Sequence, residues 1–419
     1  MKMKGGTTSN SKIKGKQFEA AIVFDTIQGI HFGAIVVDFS SLYPSIIKLQ
    51  NIGYSTIRCT HNECQTNIPI PKLSHWVCTK NKSLEALFIG GLRDLRVQHY
   101  KQQPKRKDLP KPMISWYKCV EQVIKVFMNG SYGVFSTNNK NDTGKKPDEL
   151  EQKNKFDGFA FLCPPASELI AGIARMTIIP TAEKAKSLGL VVLGGDTDSL
   201  FVLGDRAKVV ELCEWAFKTF NIELALDKEP LFMGFSNRKK NYIMVFPDGK
   251  HDEKGLTGKK KHTPKFYKGY YERALTTMCD IKSEKDISIA RKKMIKITKE
   301  GYNKIKEHRW DNLSDLAFHI TVGKDIKSYT KTLPQHIKAV QMLEKAGYSF
   351  EIGSEVSFVK TLKGKRSNTE GVMPLEIIKN NNQVDVEKYI QLFKTMIEQL
   401  LDMFNIDWDS EILGYTKLF

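Results

Sequence analysis

The chain has 419 residues, which at roughly 150 per domain corresponds to about two to three domains. Its 41% hydrophobic and 10% aromatic residues are enough for ordinary globular cores and exclude a disordered tail. Sixty-five Lys and Arg against 47 Asp and Glu leave a formal charge of +18, which suits a polyanionic partner, although an anionic membrane surface or self-repulsive solubility would accept the same charge.

The N-terminal stretch to Lys16 is basic but lacks the apolar core of a signal peptide. The most apolar early segment, Ala21 to Val37, is interrupted by Asp25, Gln28 and His31, so no run approaches the roughly 20 apolar residues that cross a bilayer. A soluble intracellular protein without a membrane partner is expected. Seven cysteines in a long chain without a secretion signal argue for reduced thiols or a metal site rather than a disulfide framework.

In chain order, residues Phe18 to Val37 read as short strands, the last of which ends on Asp38. Residues 55–82 hold Pro, Asn, Cys and His without periodicity and predict an irregular insertion. A helix is expected from near Ser83 through Tyr100, a basic exposed tip from Lys101 to Pro112, and a second helix from about Ile114 to Gly130, together an antiparallel hairpin. Asn138 to Asn154 reads as a surface loop, and Ala166 to Leu188 as a helix stopped by Gly189. The apolar runs Leu190 to Leu193 and Ser199 to Leu203 flank Gly194-Gly-Asp-Thr-Asp198, a hairpin signal. Lys250 to Lys268 carries seven lysines and suits a phosphate backbone or a solvated linker, and from about Ile281 onward the chain reads as a Lys-rich helical domain.

Period-two alternation in the hairpin points Asp196 and Asp198 the same way. Two like charges so placed repel unless a cation neutralises them, and Asp38 could join them from a neighbouring strand of one sheet. Oxygen ligands of this kind suit Mg²⁺. Taken alone, GDTDS serves equally well as an Asp-rich turn.

Read together, DFSSLYPSII (Asp38 to Ile47), KVFMNGSYG (Lys125 to Gly133) and GDTDS (Gly195 to Ser199) resemble, in order and spacing, the three polymerase motifs of family B DNA polymerases. Lys239-Lys-Asn-Tyr242 is similar to the primer-binding motif of that family. The continuation through Asp248-Gly-Lys, Lys254-Gly-Leu and Thr263-Pro-Lys-Phe266 resembles its crenarchaeal-type replicative branch, and Thr332-Leu-Pro-Gln-His336 resembles its thumb.

The resemblance implies an α+β right hand with a mixed-sheet palm, a helical-hairpin fingers and a mainly helical thumb. It divides the chain into a first palm part with the Cys/His insertion at 1–82, fingers at 83–135, a second palm part at 136–268 and a thumb at 269–419. The activity it implies is template-directed DNA synthesis from dNTPs with two Mg²⁺ ions. Asp38 and Asp198 would bridge the ions with the Phe39 carbonyl, and Asp196 would assist. The triphosphate would meet Ser40, Ser41, Leu42, Lys125, Asn129 and Arg96, with Arg93 and Lys101 as neighbours of unsettled register. Tyr43 would gate against a 2′-hydroxyl, Tyr132 and Gly133 would floor the nascent pair, and Lys239, Lys240 and Tyr242 would follow the primer–template duplex. Implied partners are primer–template DNA, dNTPs, a separate exonuclease or N-terminal subunit and a sliding clamp, in a cytoplasmic, nucleoid-associated setting.

Departures from the family pattern are Gly194 where Tyr is common, Gly130 where Ser is common, and Ala225 at a second acidic position, with Asp227 on the same face two residues later. The short stretch before Asp38 leaves no room for an exonuclease domain, so proofreading is not expected of this chain. A noncatalytic DNA-binding or scaffold subunit is the competing class, and an RNA-copying nucleotidyltransferase a third. Cys59, His61, Cys64, His75 and Cys78 cluster in the insertion, and Cys59-x4-Cys64 with His75-x2-Cys78 offers four ligands for a structural Zn²⁺; unrelated buried thiols are the alternative.

Overall fold

The computed structural model describes residues 7–13, 16–136, 162–329, 333–362, 371–378 and 381–415. The expected loop from Asn138 to Asn154, and Thr332, lie outside them. The chain forms two compact units, one of Met1–Asp25 with Ala34–Glu229, the other of Thr26–Gly33 with Pro230–Phe419. No described helix is long and apolar enough to cross a membrane.

The strands are β1 (Thr7–Ile13), β2 (Lys16–Phe24), β3 (Gly29–Phe32), β4 (Ala34–Phe39), β5 (Val191–Asp196), β6 (Ser199–Leu203) and β7 (Leu224–Lys228). All but β3 form the six-stranded sheet of the first unit, in the order β1-β2-β5-β6-β4-β7. The α+β class holds, but every pairing in this sheet is antiparallel rather than mixed. Tight returns account for two of these pairings, β1 with β2 and β5 with β6 across Thr197-Asp198, while the antiparallel pairings of β2 with β5 and of β4 with β6 and β7 join strands distant in sequence and carry no local signal.

The helices of the first unit are α1 (Leu42–Leu49), α2 (Leu84–Asp94), α3 (Lys111–Ser136), α4 (Pro164–Ser187) and α5 (Arg206–Phe220). Helix α4 opens on two prolines, where missing amides do no harm, and stops before Gly189 at φ +79°. Its Leu169, Ile170, Ala174, Ile178 and Ala182 are buried in one core with Val37, Phe39, Leu42 and Ile46, so the strand that delivers Asp38 rests on a rigid helix. Between α2 and α3 the chain makes a π-helical turn, Leu95–Tyr100. The insertion is irregular, as expected, held by a bridge between Ile57 and Val77 and a short 3-10 helix at Asn62–Thr66.

In the second unit, β8 (Phe232–Phe235), β9 (Tyr242–Val245) and β10 (His251–Lys254) pair with β3 in the order β10-β9-β8-β3. Helices α6 (Lys265–Cys279), α7 (Ile287–Lys306) and α9 (Val386–Leu401) share a core that includes Tyr267, Tyr270, Met294, Tyr389 and Phe393. The region after Ile281 is not helical alone. Strands β11 (Phe318–Thr321), β12 (Glu355–Lys360) and β13 (Val372–Pro374) form a three-stranded sheet beside α8 (Gln335–Lys345). These strands are too short to register against the helical periodicity on either side.

Candidate active site

Strand β4 lies between β6 and β7, and Asp38 pairs across with Ser199 on one side and Ala225 on the other. The Phe39 amide donates to the Asp198 carbonyl at 2.9 Å, which ties the end of β4 to the hairpin turn. The turn is tight: Thr197 has φ 52°, and the Asp198 amide donates to the Asp196 carbonyl at 2.5 Å. Gly195 is required there, because a Cβ would lie 2.7 Å from the Ser199 carbonyl oxygen and 2.9 Å from the Phe24 ring.

The electrostatics gather three carboxylates. Burial, then the Asp198 and Asp227 carboxylates, push the Asp38 carboxyl up to about 7, while the Lys101 and Lys125 amines pull it down. Asp227 falls where the β4–β7 register shifts between Val36 and Val37, is exposed, and acts on Asp38 by repulsion less than Asp198 does. Asp198 occupies the turn itself, half-buried, whereas Asp196 closes β5 opposite Ser199 and is 5% exposed. Oxygen donors with a surplus of negative charge and partial burial fit hard divalent cations.

Beyond β4 the chain turns sharply at Ser41, a non-glycine residue at φ 52° and ψ 57°, and enters α1. The Ser40 amide donates to the Glu223 carbonyl at 2.8 Å, so it is committed to the fold rather than available to a phosphate as expected. The amides of Ser41 and Leu42 open the helix, where intrahelical acceptors are missing.

Arg96 is also placed differently from its expected role. It is 6% exposed, donates to Ser41 Oγ at 2.6 Å and pairs with Glu121 on α3 at 2.5 Å, so it braces the turn after Asp38. Arg93 donates to Ser45 Oγ at 3.1 Å and pairs with Asp94. Lys101, whose register was unsettled, is the basic residue of this segment that acts on Asp38, together with Lys125. On α3, Lys125 and Asn129 are both exposed and four residues apart.

The Tyr43 and Tyr132 rings lie 4.5 Å apart between centroids. Burial raises both phenols, and the Arg175 guanidinium opposes this for each. Arg175 on α4 has no sequence signature, since an arginine on a long helix carries no signal of its own; its side chain also pairs with Glu19 at 3.4 Å. A Cβ at Gly133 would meet nothing within 4 Å.

In the second unit, Tyr242 is buried in β9 against Phe235, and Lys240 has φ 61° at the turn before it. Lys250, Lys254, Lys259, Lys260, Lys261 and Lys265 are exposed. In the insertion, Cys59, Cys64 and Cys78 come together, but with His61 rather than His75. The His75 Nε2 lies 2.7 Å from Glu168, and its Nδ1 accepts from Arg58 at 3.1 Å.

The family model for DNA polymerase family B matches residues 5–141 and 151–404. The chain is 36% identical over 402 residues to DNA polymerase 1 of Sulfolobus acidocaldarius, covering 95% of this chain and 43% of that protein. It is 32% identical over 414 residues to DNA polymerase 1 of Aeropyrum pernix, covering 99% of this chain and 40% of that protein. It thus spans about two fifths of the length of these relatives. The solved structure of the family B DNA polymerase from Pyrobaculum calidifontis superposes over 98% of this chain and 49% of that one, with a TM-score of 0.63 and 24% identity, which bears on the fold.

The raised carboxyl of Asp38 has a consequence for stability. A carboxyl at about 7 in the folded protein and about 4 unfolded binds more protons when folded, so stability falls as pH rises from about 4 to 7. In metal-free protein, Asp38→Asn should therefore raise the unfolding free energy at pH 8, by at most about 4 kcal/mol for a carboxyl moved from about 4 to about 7, and the advantage should shrink toward pH 5. Urea melts at the two pH values check this; an equal effect at both would show that Asp38 is not held protonated by its surroundings.

Proposed function

We propose that this chain, which belongs to DNA polymerase family B, carries a template-directed DNA-polymerising centre at the end of β4. The observation that carries this reading is the convergence of Asp38, Asp198 and Asp227, with the Lys101 and Lys125 amines on the same group. The antiparallel sheet of the first unit is then the palm, α2 with α3 the fingers, and the helices of the C-terminal part the thumb.

Asp38 and Asp198, with the Phe39 carbonyl, would hold two Mg²⁺ ions, and Asp227 and Asp196 would complete the negative field. When bound, these ions lower the pKa of the primer 3′-hydroxyl and neutralise the triphosphate and the leaving pyrophosphate. The protein's own part is positioning. Lys125, Asn129 and Lys101 bind the triphosphate, with the Ser41 and Leu42 amides at the start of α1. Arg96 acts through Ser41, holding the turn that these amides belong to.

The paired rings of Tyr43 and Tyr132 supply a rigid apolar surface beside the carboxylates. Tyr43 would collide with a 2′-hydroxyl and so select deoxyribonucleotides, while Tyr132 and Gly133 lie under the nascent base pair. Lys239, Lys240 and the exposed lysines between Lys250 and Lys265 give sequence-independent phosphate contacts to primer–template DNA. Tyr242, buried against Phe235, anchors the strand that follows the turn carrying Lys239 and Lys240. A separate exonuclease-bearing subunit and a sliding clamp are partners suggested by the family alone.

Primer extension with Mg²⁺ and dNTPs tests this reading: the wild type should extend a primer, and Asp198→Asn should lose roughly a hundredfold or more of that rate while keeping DNA affinity. A wild type that binds DNA but does not extend it would favour the noncatalytic class. For the sugar gate, Tyr43→Ala should raise ribonucleotide incorporation relative to deoxyribonucleotide by roughly tenfold or more. Unchanged discrimination in a competition assay would sink that role.

A further inference from the structure

We propose that Cys59, His61, Cys64 and Cys78 bind one tetrahedral Zn²⁺, which pins the root of helix α2 to the end of helix α1. The four ligand atoms all lie within 4.8 Å of one another. Two separations can be compared with a real coordination sphere. With Zn–S near 2.3 Å and Zn–N near 2.05 Å, tetrahedral geometry sets S···S at about 3.8 Å and S···N at about 3.6 Å. The Cys64 and Cys78 sulfurs are 3.9 Å apart, and Cys78 Sγ lies 3.4 Å from His61 Nδ1. A disulfide would bring two sulfurs to about 2.05 Å and leave the third thiol and the imidazole without a purpose.

The surroundings suit thiolates. The backbone amide of Thr79 donates to Cys64 Sγ at 3.4 Å and that of Asn81 donates to Cys78 Sγ at 3.4 Å. Such amides spread the negative charge of metal-bound sulfur and orient it. All three cysteines are buried and free, and Trp76, whose indole donates to the Cys59 carbonyl at 3.0 Å, packs on them. Loading replaces the thiol protons, which pass to solvent, so affinity falls in acid.

The choice of His61 over His75 follows from the local ladder. The Cys78 amide donates to the Thr56 carbonyl and the Arg58 amide to the Trp76 carbonyl, so residues 75–78 run extended beside 56–58. Alternation then turns Trp76 and Cys78 to the cluster and His75 to the opposite side, where it meets Glu168.

The site connects directly to the hairpin helices. Asn51, just past α1 at φ 54°, donates from Nδ2 to the Cys78 carbonyl at 2.8 Å and to the Asn81 carbonyl at 2.7 Å. Its Oδ1 accepts from the Ser83 amide at 2.9 Å, and Ser83 Oγ caps α2 by accepting from Ala86 at 2.9 Å. The spacing is tight, since a Cβ at Gly53 would lie 2.4 Å from Ser83 Cβ. A metal on Cys78 therefore fixes the cap of α2. This inference rests on the insertion alone and does not depend on the proposed reaction.

Elemental analysis of protein purified without chelator should find about one zinc per chain in the wild type and in His75→Ala, and much less in Cys64→Ser and His61→Ala. Where a variant does not fold, Co²⁺ added to metal-stripped wild type decides instead: it should give thiolate charge-transfer and intense tetrahedral visible absorption that stoichiometric Zn²⁺ abolishes. Removing the metal should lower the melting temperature and expose residues 55–82 to protease. No zinc together with no tetrahedral Co²⁺ spectrum overturns the proposal, and so does an intact mass lighter by two hydrogens, which would mark a disulfide.

Discussion

A partly buried carboxylate, Asp38, held beside two like charges at the end of β4 is the constraint around which the first unit is organised. Asp38 is delivered by a strand whose other residues are almost wholly buried, and Asp198 and Asp227 are brought to it by the strands on either side. Burial first, and then the charges of Asp198 and Asp227, hold Asp38 near 7. The fold accepts that cost because β4 has little freedom to move: it is paired on both edges and backed by α4. Bound cations would relieve the repulsion, and the Lys101 and Lys125 amines offset part of it.

The turn after Asp38 is the second fixed point. Ser41 holds a left-handed conformation that a non-glycine residue adopts only under constraint. The constraint is visible in Arg96, whose buried guanidinium joins Ser41 to Glu121 and so couples the strand end to α3. Arg96 thus has a bracing task, and Lys101 and Lys125 are the amines that act on Asp38. The Tyr43 and Tyr132 rings pack on each other, under the field of Arg175.

Much of this was legible in the amino-acid sequence. An apolar run ending on Asp38, and two runs around a Gly-Asp-Thr-Asp turn, have few other solutions, and the hairpin of α2 and α3 follows from helical periodicity broken by a Lys- and Pro-rich tip. What was not legible has local causes. The π-helical turn at Leu95–Tyr100 shifts the helical phase, so a 3.6-residue period could not decide between Arg93, Arg96 and Lys101. The use of the Ser40 amide by Glu223 is a long-range pairing without a sequence signature. His75 and His61 are equivalent by spacing, and only the ladder between residues 56–58 and 76–78 separates them. The short strands after Ile281 are set by contacts with α8 rather than by their own pattern.

If the carboxylates at the end of β4 form a divalent-cation site, the cation must compete with a proton on Asp38. Titration of Mn²⁺, with the free ion followed by electron paramagnetic resonance in the absence of nucleotide, tests it most directly. The account predicts saturable binding by the wild type at pH 8 that weakens as pH falls through about 7, and an affinity lower by roughly tenfold or more in both Asp38→Asn and Asp198→Asn. Binding that is independent of pH and unchanged in both variants would contradict it.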